Sequence, residues 1–182
     1  MDYAVLLCGK SGTGKSKVIG ELLETSSAKK GVSTTTRKMR DEDVEGVTYN
    51  FDSNEQFEEK MRKDEFYTVS EHFGKKYAFL KTEVDGLANL FDAIPSVALE
   101  LKQKVPNKNW IIVYLKLSEE ERMHRLKGRG SETDEQINLR ISEEEKLYEG
   151  AEEIADIIVS VEDRKECNGF EFAAKIIAKL FF

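Results

Sequence analysis

Residues 3–8 (Tyr3-Ala4-Val5-Leu6-Leu7-Cys8) form an unbroken apolar run that stops at Gly9. A run so short and continuous predicts a strand covered on both faces, as in a parallel sheet. Trp110–Leu115 and Ile157–Val161 repeat the pattern, and Val97–Leu101 repeats it more weakly. Helical spacing fills the intervals. Val18, Ile19, Leu22 and Leu23 recur after residue 15, and Ile137 and Ile141 share a face of a helix opened by Thr133-Asp134-Glu135-Gln136. Ser118-Glu119-Glu120-Glu121 reads as a capping box with acid in the first turn, at the positive end of the helix dipole. Phe170–Phe182 predicts a terminal amphipathic helix. Strands alternating with helices predict an α/β fold, a mostly parallel sheet flanked by helices.

Between Gly31 and about Tyr77 the pattern changes. Val47, Tyr49 and Phe51 alternate with polar residues. Ser53-Asn54-Glu55-Gln56 starts a short helix carrying Phe57 and Met61. Phe66–Val69 and Phe73–Phe79 look strand-like, with Gly74 at a turn. This stretch predicts a small α+β insertion after the first βα unit. Pro95 and Pro106 fall in predicted loops.

Charge excludes some partners. The 182 residues include 28 Lys and Arg against 35 Asp and Glu, for a formal net charge of −7. So acidic a chain predicts no basic face for duplex nucleic acid or an anionic membrane. No apolar stretch approaches the ~18 residues of a spanning helix. Cys8 and Cys167 make no disulfide framework, and His72 and His124 form no zinc-like cluster with them. Met1-Asp2-Tyr3 opens no secretory signal, so a cytoplasmic protein is expected, as a monomer or homodimer.

The strongest chemical signal is Gly9-Lys10-Ser11-Gly12-Thr13-Gly14-Lys15-Ser16, which fits G-x-x-x-x-G-K-[ST] between a predicted strand and a predicted helix. Glycines let the backbone turn its N–H groups inward onto phosphate oxygens, and the following helix adds its positive end. Gly9, Ser11, Gly12, Thr13, Gly14, Lys15 and Ser16 are the expected ATP-binding residues. Lys15 reaches the β- and γ-phosphates, and the Ser16 hydroxyl ligates Mg²⁺. Lys10 and Lys17 read as solvated lysines.

Ser33-Thr34-Thr35-Thr36-Arg37-Lys38-Met39-Arg40 concentrates positive charge and hydroxyls in an acidic chain. Arginine suits phosphate bidentately, but an exposed loop with solvated arginines explains the same pattern. Together with Val44-Glu45-Gly46-Val47-Thr48-Tyr49-Asn50-Phe51, this segment resembles the guanylate kinase family, whose members carry V-S-x-T-T-R-x-P-R followed by G-x-x-Y-x-F. The phosphate loop and the stretch from Arg125-Leu126-Lys127-Gly128-Arg129-Gly130 to Asn138-Leu139-Arg140 match the family in the same order, and the likeness runs from about Tyr3 to Ser160.

The resemblance implies ATP-dependent phosphoryl transfer to a nucleoside monophosphate, GMP or dGMP in the family, with Mg²⁺. By similarity Ser33, Arg37, Arg40, Tyr49, Thr68 and Tyr77 line the monophosphate site, although Tyr49 on a strand face also reads as core. Lys15, Arg37, Arg125, Arg129 and Arg140 are the implied catalytic set, with Glu100 beside Ser16 near the metal. Arg122, Arg125 and Arg129 share a helix face, and Arg122 reads as an ordinary salt-bridged residue of a solvent-facing helix. The implied organisation is one domain: a core (1–30, 81–124, 154–182), an acceptor-binding insertion (31–80) and a lid (125–153).

The chain departs from the family at base-reading positions. A glutamate that pairs with the base falls at Thr68, and a Ser or Thr at the base falls at Phe79. The family's acidic strand end aligns with Leu99-Glu100-Leu101-Lys102-Gln103, placing Lys102 where an aspartate is expected. Weakened or shifted base selectivity follows, with Glu71 or backbone groups as substitute readers. The alternatives are a kinase for another monophosphate or a ribose bisphosphate, and a catalytically weak nucleotide-binding interaction module.

Overall fold

In the computed structural model the chain runs β1 (Tyr3–Cys8), α1 (Lys15–Thr25), β2 (Lys30–Gly31), β3 (Thr34–Thr35), β4 (Asn50–Phe51), α2 (Asn54–Arg62), β5 (Phe66–His72), β6 (Lys75–Leu80), α3 (Lys81–Asp85), β7 (Leu90–Asp92), α4 (Pro95–Lys104), β8 (Asn109–Lys116), α5 (Glu119–Gly128), α6 (Asp134–Leu147), α7 (Ala151–Ile154), β9 (Ile157–Ser160) and α8 (Gly169–Phe181). The structure describes residues 3–128, 133–163 and 168–182, so Arg129, Gly130 and Cys167 lie outside the described residues.

The continuous apolar runs arise because the central strands are covered on both faces. In β1, Ala4, Leu6 and Cys8 face one core and Val5 and Leu7 face the other. In β8, Trp110, Ile112 and Tyr114 join the first core, and Val113 and Leu115 the second. Val97, Ala98 and Leu101 of α4 fill the first core, while Val18 and Leu22 of α1 and Ala173 and Ile177 of α8 fill the second. The five strands are parallel in the order β2-β7-β1-β8-β9. Residues 34–80 build a second sheet, ordered β4-β3-β6-β5, over which Phe57 of α2 packs against Phe66.

One predicted element is wrong in kind. Val97–Leu101 belongs to α4 rather than to a strand, and Pro95 opens that helix instead of lying in a loop. Proline suits the first helical turn, where its missing N–H costs nothing. Val97, Ala98 and Leu101 are buried at helical spacing while Leu99 is exposed. The strand of this region is β7, which ends three residues before Pro95 and whose Leu7↔Asp92 pairing aligns its end with that of β1. The alternating stretch around Tyr49 condenses to the two-residue β4.

Candidate active site

The phosphate loop leaves β1 at Cys8 and enters α1 at Lys15. Gly14 precedes the helix with φ 82°, and a Cβ there would run into the Phe170 ring. Gly12 has φ 87° and lies against Arg122 and Leu126. Neither position takes an L side chain without strain. Thr13, expected to bind ATP, turns its side chain away from the cleft. Its hydroxyl donates to the Lys10 carbonyl at 2.7 Å, which braces the loop from behind. Tyr148 holds the other end by donating to the Gly9 carbonyl at 2.9 Å. Burial drives the Tyr148 pKa upward, so the phenol keeps its proton.

A cleft of about 1230 Å³ opens above this loop and is walled by both sheets. Gly9, Ser11, Gly12, Gly14, Lys15 and Ser16 line one side; Ser33, Arg37, Arg40, Tyr49, Thr68 and Tyr77 line the other; Arg125 and Arg140 lie at its edge. Residues far apart in sequence thus share one polar chamber large enough for two nucleotides.

The Lys15 ammonium lies 2.6 Å from Asp92, at the end of β7. Burial alone would lower the Lys15 pKa. The charge and hydrogen bond of Asp92, helped by Tyr148 and Tyr49, more than offset this, and the net shift is upward. Asp92 is a carboxylate at a strand end facing the phosphate loop, the kind of position the resemblance assigned to the segment Leu99–Gln103. Glu100 is instead on α4, paired with Lys104 at 2.7 Å and absent from the cleft wall. Lys102 pairs with Asp156 at 3.1 Å. The sequence signal for Asp92 was slight, a two-residue apolar pair ending in an acid. Glu100→Gln is expected to leave kcat within about twofold, as for an ordinary surface substitution. A tenfold loss in ADP release would return Glu100 to the reacting centre.

Across the cleft, Asp43 grips the Arg37 guanidinium with both oxygens, at 3.0 and 2.9 Å. The backbone N–H of Arg40 donates to the same carboxylate at 2.7 Å. Burial pushes the Asp43 pKa up, but these donors outweigh it and hold the carboxyl below its ordinary value. The Arg37 guanidinium lies 5.1 Å from the Tyr49 ring, and Tyr49 meets Tyr77 edge-on at 6.0 Å. Tyr49 is therefore a wall of the cleft. Desolvation, with Asp92 nearby, lifts its pKa to about 12, so it stays a neutral donor.

At the far end, Thr68, Ser70, Phe79, Ala93, Ile94 and Val97 line the cleft. Thr68 is buried, and its Oγ1 has no hydrogen-bond partner among the described residues. Phe79 reaches down to Phe91 and fills the floor. Glu71 falls on the opposite strand face from Thr68, Ser70 and His72 and is exposed, so it does not line this end.

Two residues behind the loop gain a role that sequence reasoning missed. Arg122 is 1% exposed, not solvated; it pairs with Glu144 at 2.7 Å and with Glu119 at 2.7 Å. Glu144 is also buried and accepts the Ser11 backbone N–H at 3.0 Å. Ser11 therefore spends its amide on Glu144, while its hydroxyl meets Arg140 at 3.4 Å. Arg125 stacks on Phe170, its guanidinium 4.5 Å from the ring, and its Nε donates to Glu121 at 2.8 Å. Among the described residues no helix is long and apolar enough to cross a membrane.

A glycine loop at the end of a parallel strand, facing a second substrate pocket across one cleft, defines a P-loop nucleotide kinase. The guanylate kinase family model matches residues 1–171, and the chain belongs to that family; it is a nucleoside monophosphate kinase. It is 31% identical over 168 residues to a guanylate kinase of Fusobacterium nucleatum subsp. nucleatum, covering 90% of each chain. It is 35% identical over 149 residues to one of Mycoplasmopsis pulmonis, covering 76% of each. The fold is similar to that of a crystal structure of guanylate kinase from Anaplasma phagocytophilum, with TM-score 0.69 and 24% identity over 98% of this chain and 84% of that one. A gluconokinase from Sinorhizobium meliloti 1021 shares it more distantly, with TM-score 0.52 and 16% identity over 98% and 94% of the two chains.

Proposed function

We propose that the chain transfers the γ-phosphoryl group of ATP to GMP or dGMP, yielding ADP and GDP or dGDP. The observation that carries the reading is the single cleft lined by the phosphate loop and by Arg37, Arg40, Tyr49 and Tyr77. Transfer between phosphates needs positioning and charge neutralisation more than covalent chemistry. Lys15 neutralises the donor phosphates. Arg37, preset by Asp43, presents its guanidinium to the acceptor phosphate while Tyr49 and Tyr77 offer hydroxyl donors. Arg125 and Arg140 add positive charge from the helical side of the cleft. Enclosure between two sheets excludes water, which otherwise competes as acceptor.

The donor set suits Mg²⁺, which takes few protein oxygens and keeps waters and phosphates as its other ligands. Ser16 Oγ and the Asp92 carboxylate, both on the cleft wall, would hold it. Held there by Ser16 and Asp92, the ion would supply positive charge against the phosphates. Use of ATP and the free, buried Cys8 thiol agree with a reducing cytoplasm.

The far end supports weak guanine discrimination. Guanine offers two N–H donors along one edge, and Thr68 and Ser70 bring hydroxyls but no carboxylate. A neutral hydroxyl left unpaired by an analogue lacking one donor costs less than an unpaired carboxylate would, so such an analogue is rejected only weakly. The test is ADP release across GMP, dGMP, IMP, AMP, dTMP and a ribose bisphosphate. GMP should be used best, with IMP within about tenfold in kcat/KM. A GMP preference of a thousandfold would overturn weak discrimination, and turnover of the bisphosphate alone would overturn the acceptor class. In the same assay Arg37→Ala should raise acceptor KM by about 10–100-fold, the value of hydrogen bonds to a charged group, and leave ATP binding unchanged.

A further inference from the structure

The hairpin joining β5 to β6 turns through Phe73 and Gly74, with φ values of 52° and 65°. Two left-handed residues in a two-residue loop are the habit of Asn-Gly or Gly-Gly, which take that conformation cheaply. A phenylalanine there is strained, and strain of this kind persists where the side chain serves a contact. Phe73 is 37% exposed, so burial does not explain it. Its ring instead lies under the Arg140 guanidinium at 5.4 Å, on α6.

The residue before it continues the contact inward. The His72 imidazole meets Phe73 edge-on at 5.5 Å and lies flat on Tyr77, with 4.2 Å between centroids and 9° between planes. Tyr77 meets Tyr49, and Tyr49 lies beneath Arg37. Arg37, Tyr49, Tyr77, His72, Phe73 and Arg140 thus form one unbroken file of rings between two guanidiniums. It starts in the acceptor pocket and ends on α6, whose Arg140 touches Ser11 of the phosphate loop. Each aromatic or cation–ring contact is short-ranged, so moving one member displaces the next.

We infer that His72 is a positioning residue of the transfer reaction: through its stack on Tyr77 and its contact with Phe73 it ties acceptor binding to the placement of Arg140 and α6 over the phosphate loop. The inference rests on the monophosphate reading of the Arg37 pocket. An acceptor phosphate drawing on Arg37, Tyr49 and Tyr77 fixes the inner end of the file and so favours one position of its outer end. By linkage, acceptor and donor nucleotides then tighten each other's binding.

The experiment measures the affinity of a non-hydrolysable ATP analogue with and without GMP, beside steady-state kinetics. In the unmodified protein GMP should tighten the analogue by about fivefold or more, the ordinary range of coupling between sites. His72→Ala should abolish the tightening and lower kcat/KM for GMP by about tenfold, while analogue affinity without GMP stays within about twofold. His72→Phe should restore both, because a ring suffices for the stack. Phe73→Ala should repeat the His72→Ala result from the far side of the file. Coupling left intact in His72→Ala, or coupling lost equally in His72→Phe, would overturn the inference. Failure of the underlying reading is separately visible, as absence of GMP turnover in the unmodified protein.

Discussion

Lys15→Ala is expected to lower kcat/KM for phosphoryl transfer by about a thousandfold or more, with every acceptor, as loss of one preorganised charge at a developing anion does. Two effects add. The substitution removes the ammonium that α1 holds at the cleft floor. It also exposes Asp92, now without the partner 2.6 Å away, to the donor phosphates. The second effect is separable. With Mg²⁺ left out, Lys15→Ala/Asp92→Asn should recover part of the affinity for ATP lost in the single variant, and with Mg²⁺ present it should not recover transfer. Equilibrium binding of ATP, read beside ADP release, checks both statements. A Lys15→Ala protein that kept a tenth of its turnover would remove Lys15 from the reacting centre.

The second large effect concerns stability. Glu144→Ala should destabilise the protein by about 3–5 kcal/mol, because it takes the buried carboxylate from the Arg122 guanidinium and leaves it the exposed Glu119 and the Ser11 carbonyl. For a chain of this length that corresponds to a fall in Tm of about 6–20 °C. The same change frees the Ser11 N–H, so the phosphate loop loses one of its ties to α6 and ATP binding weakens as well. Replacing the pair by apolar residues, Arg122→Met with Glu144→Leu, should restore most of the stability, since well-packed apolar groups substitute for buried ions. It should not restore ATP affinity, because no acceptor then meets Ser11. A melting curve and a nucleotide titration on the three proteins test this. A Glu144→Ala protein that melts within about 1 °C of the parent would show the pair to be solvated.

These effects fall unevenly between what was readable in the chain and what was not. The phosphate loop was legible because its chemistry is contiguous: glycines, lysine and serine act within one turn, and flanking elements are local patterns. The helix starts at Ser53 and Thr133 were legible for the same reason, and both are capping boxes with reciprocal bonds, whereas at Ser118, read as a capping box, the N–H donates to Glu162 instead. The runs at β1 and β8 were legible because burial on both faces leaves few polar positions; β9, at the sheet edge, is apolar although its Ile158 is exposed. α4 was misread because a short apolar stretch has no distinguishing period, and its buried positions resolve only once a neighbour covers one side.

The amino-acid sequence by itself determined the α/β class, the phosphate-binding loop, the basic segment from Ser33 to Arg40, and the family likeness that joins them. Each depends on residues close together in the chain, whose turns and spacings carry the chemistry directly. Only the tertiary structure decided which carboxylate answers Lys15, that Arg122 and Glu144 are a buried pair behind the loop, and that Thr68 and His72, not Glu71, face the cleft. Those outcomes turn on strand register, on strand phase and on desolvation. A one-residue shift of register exchanges the two faces of a strand. The burial that makes a charge pair consequential exists only after distant elements have packed.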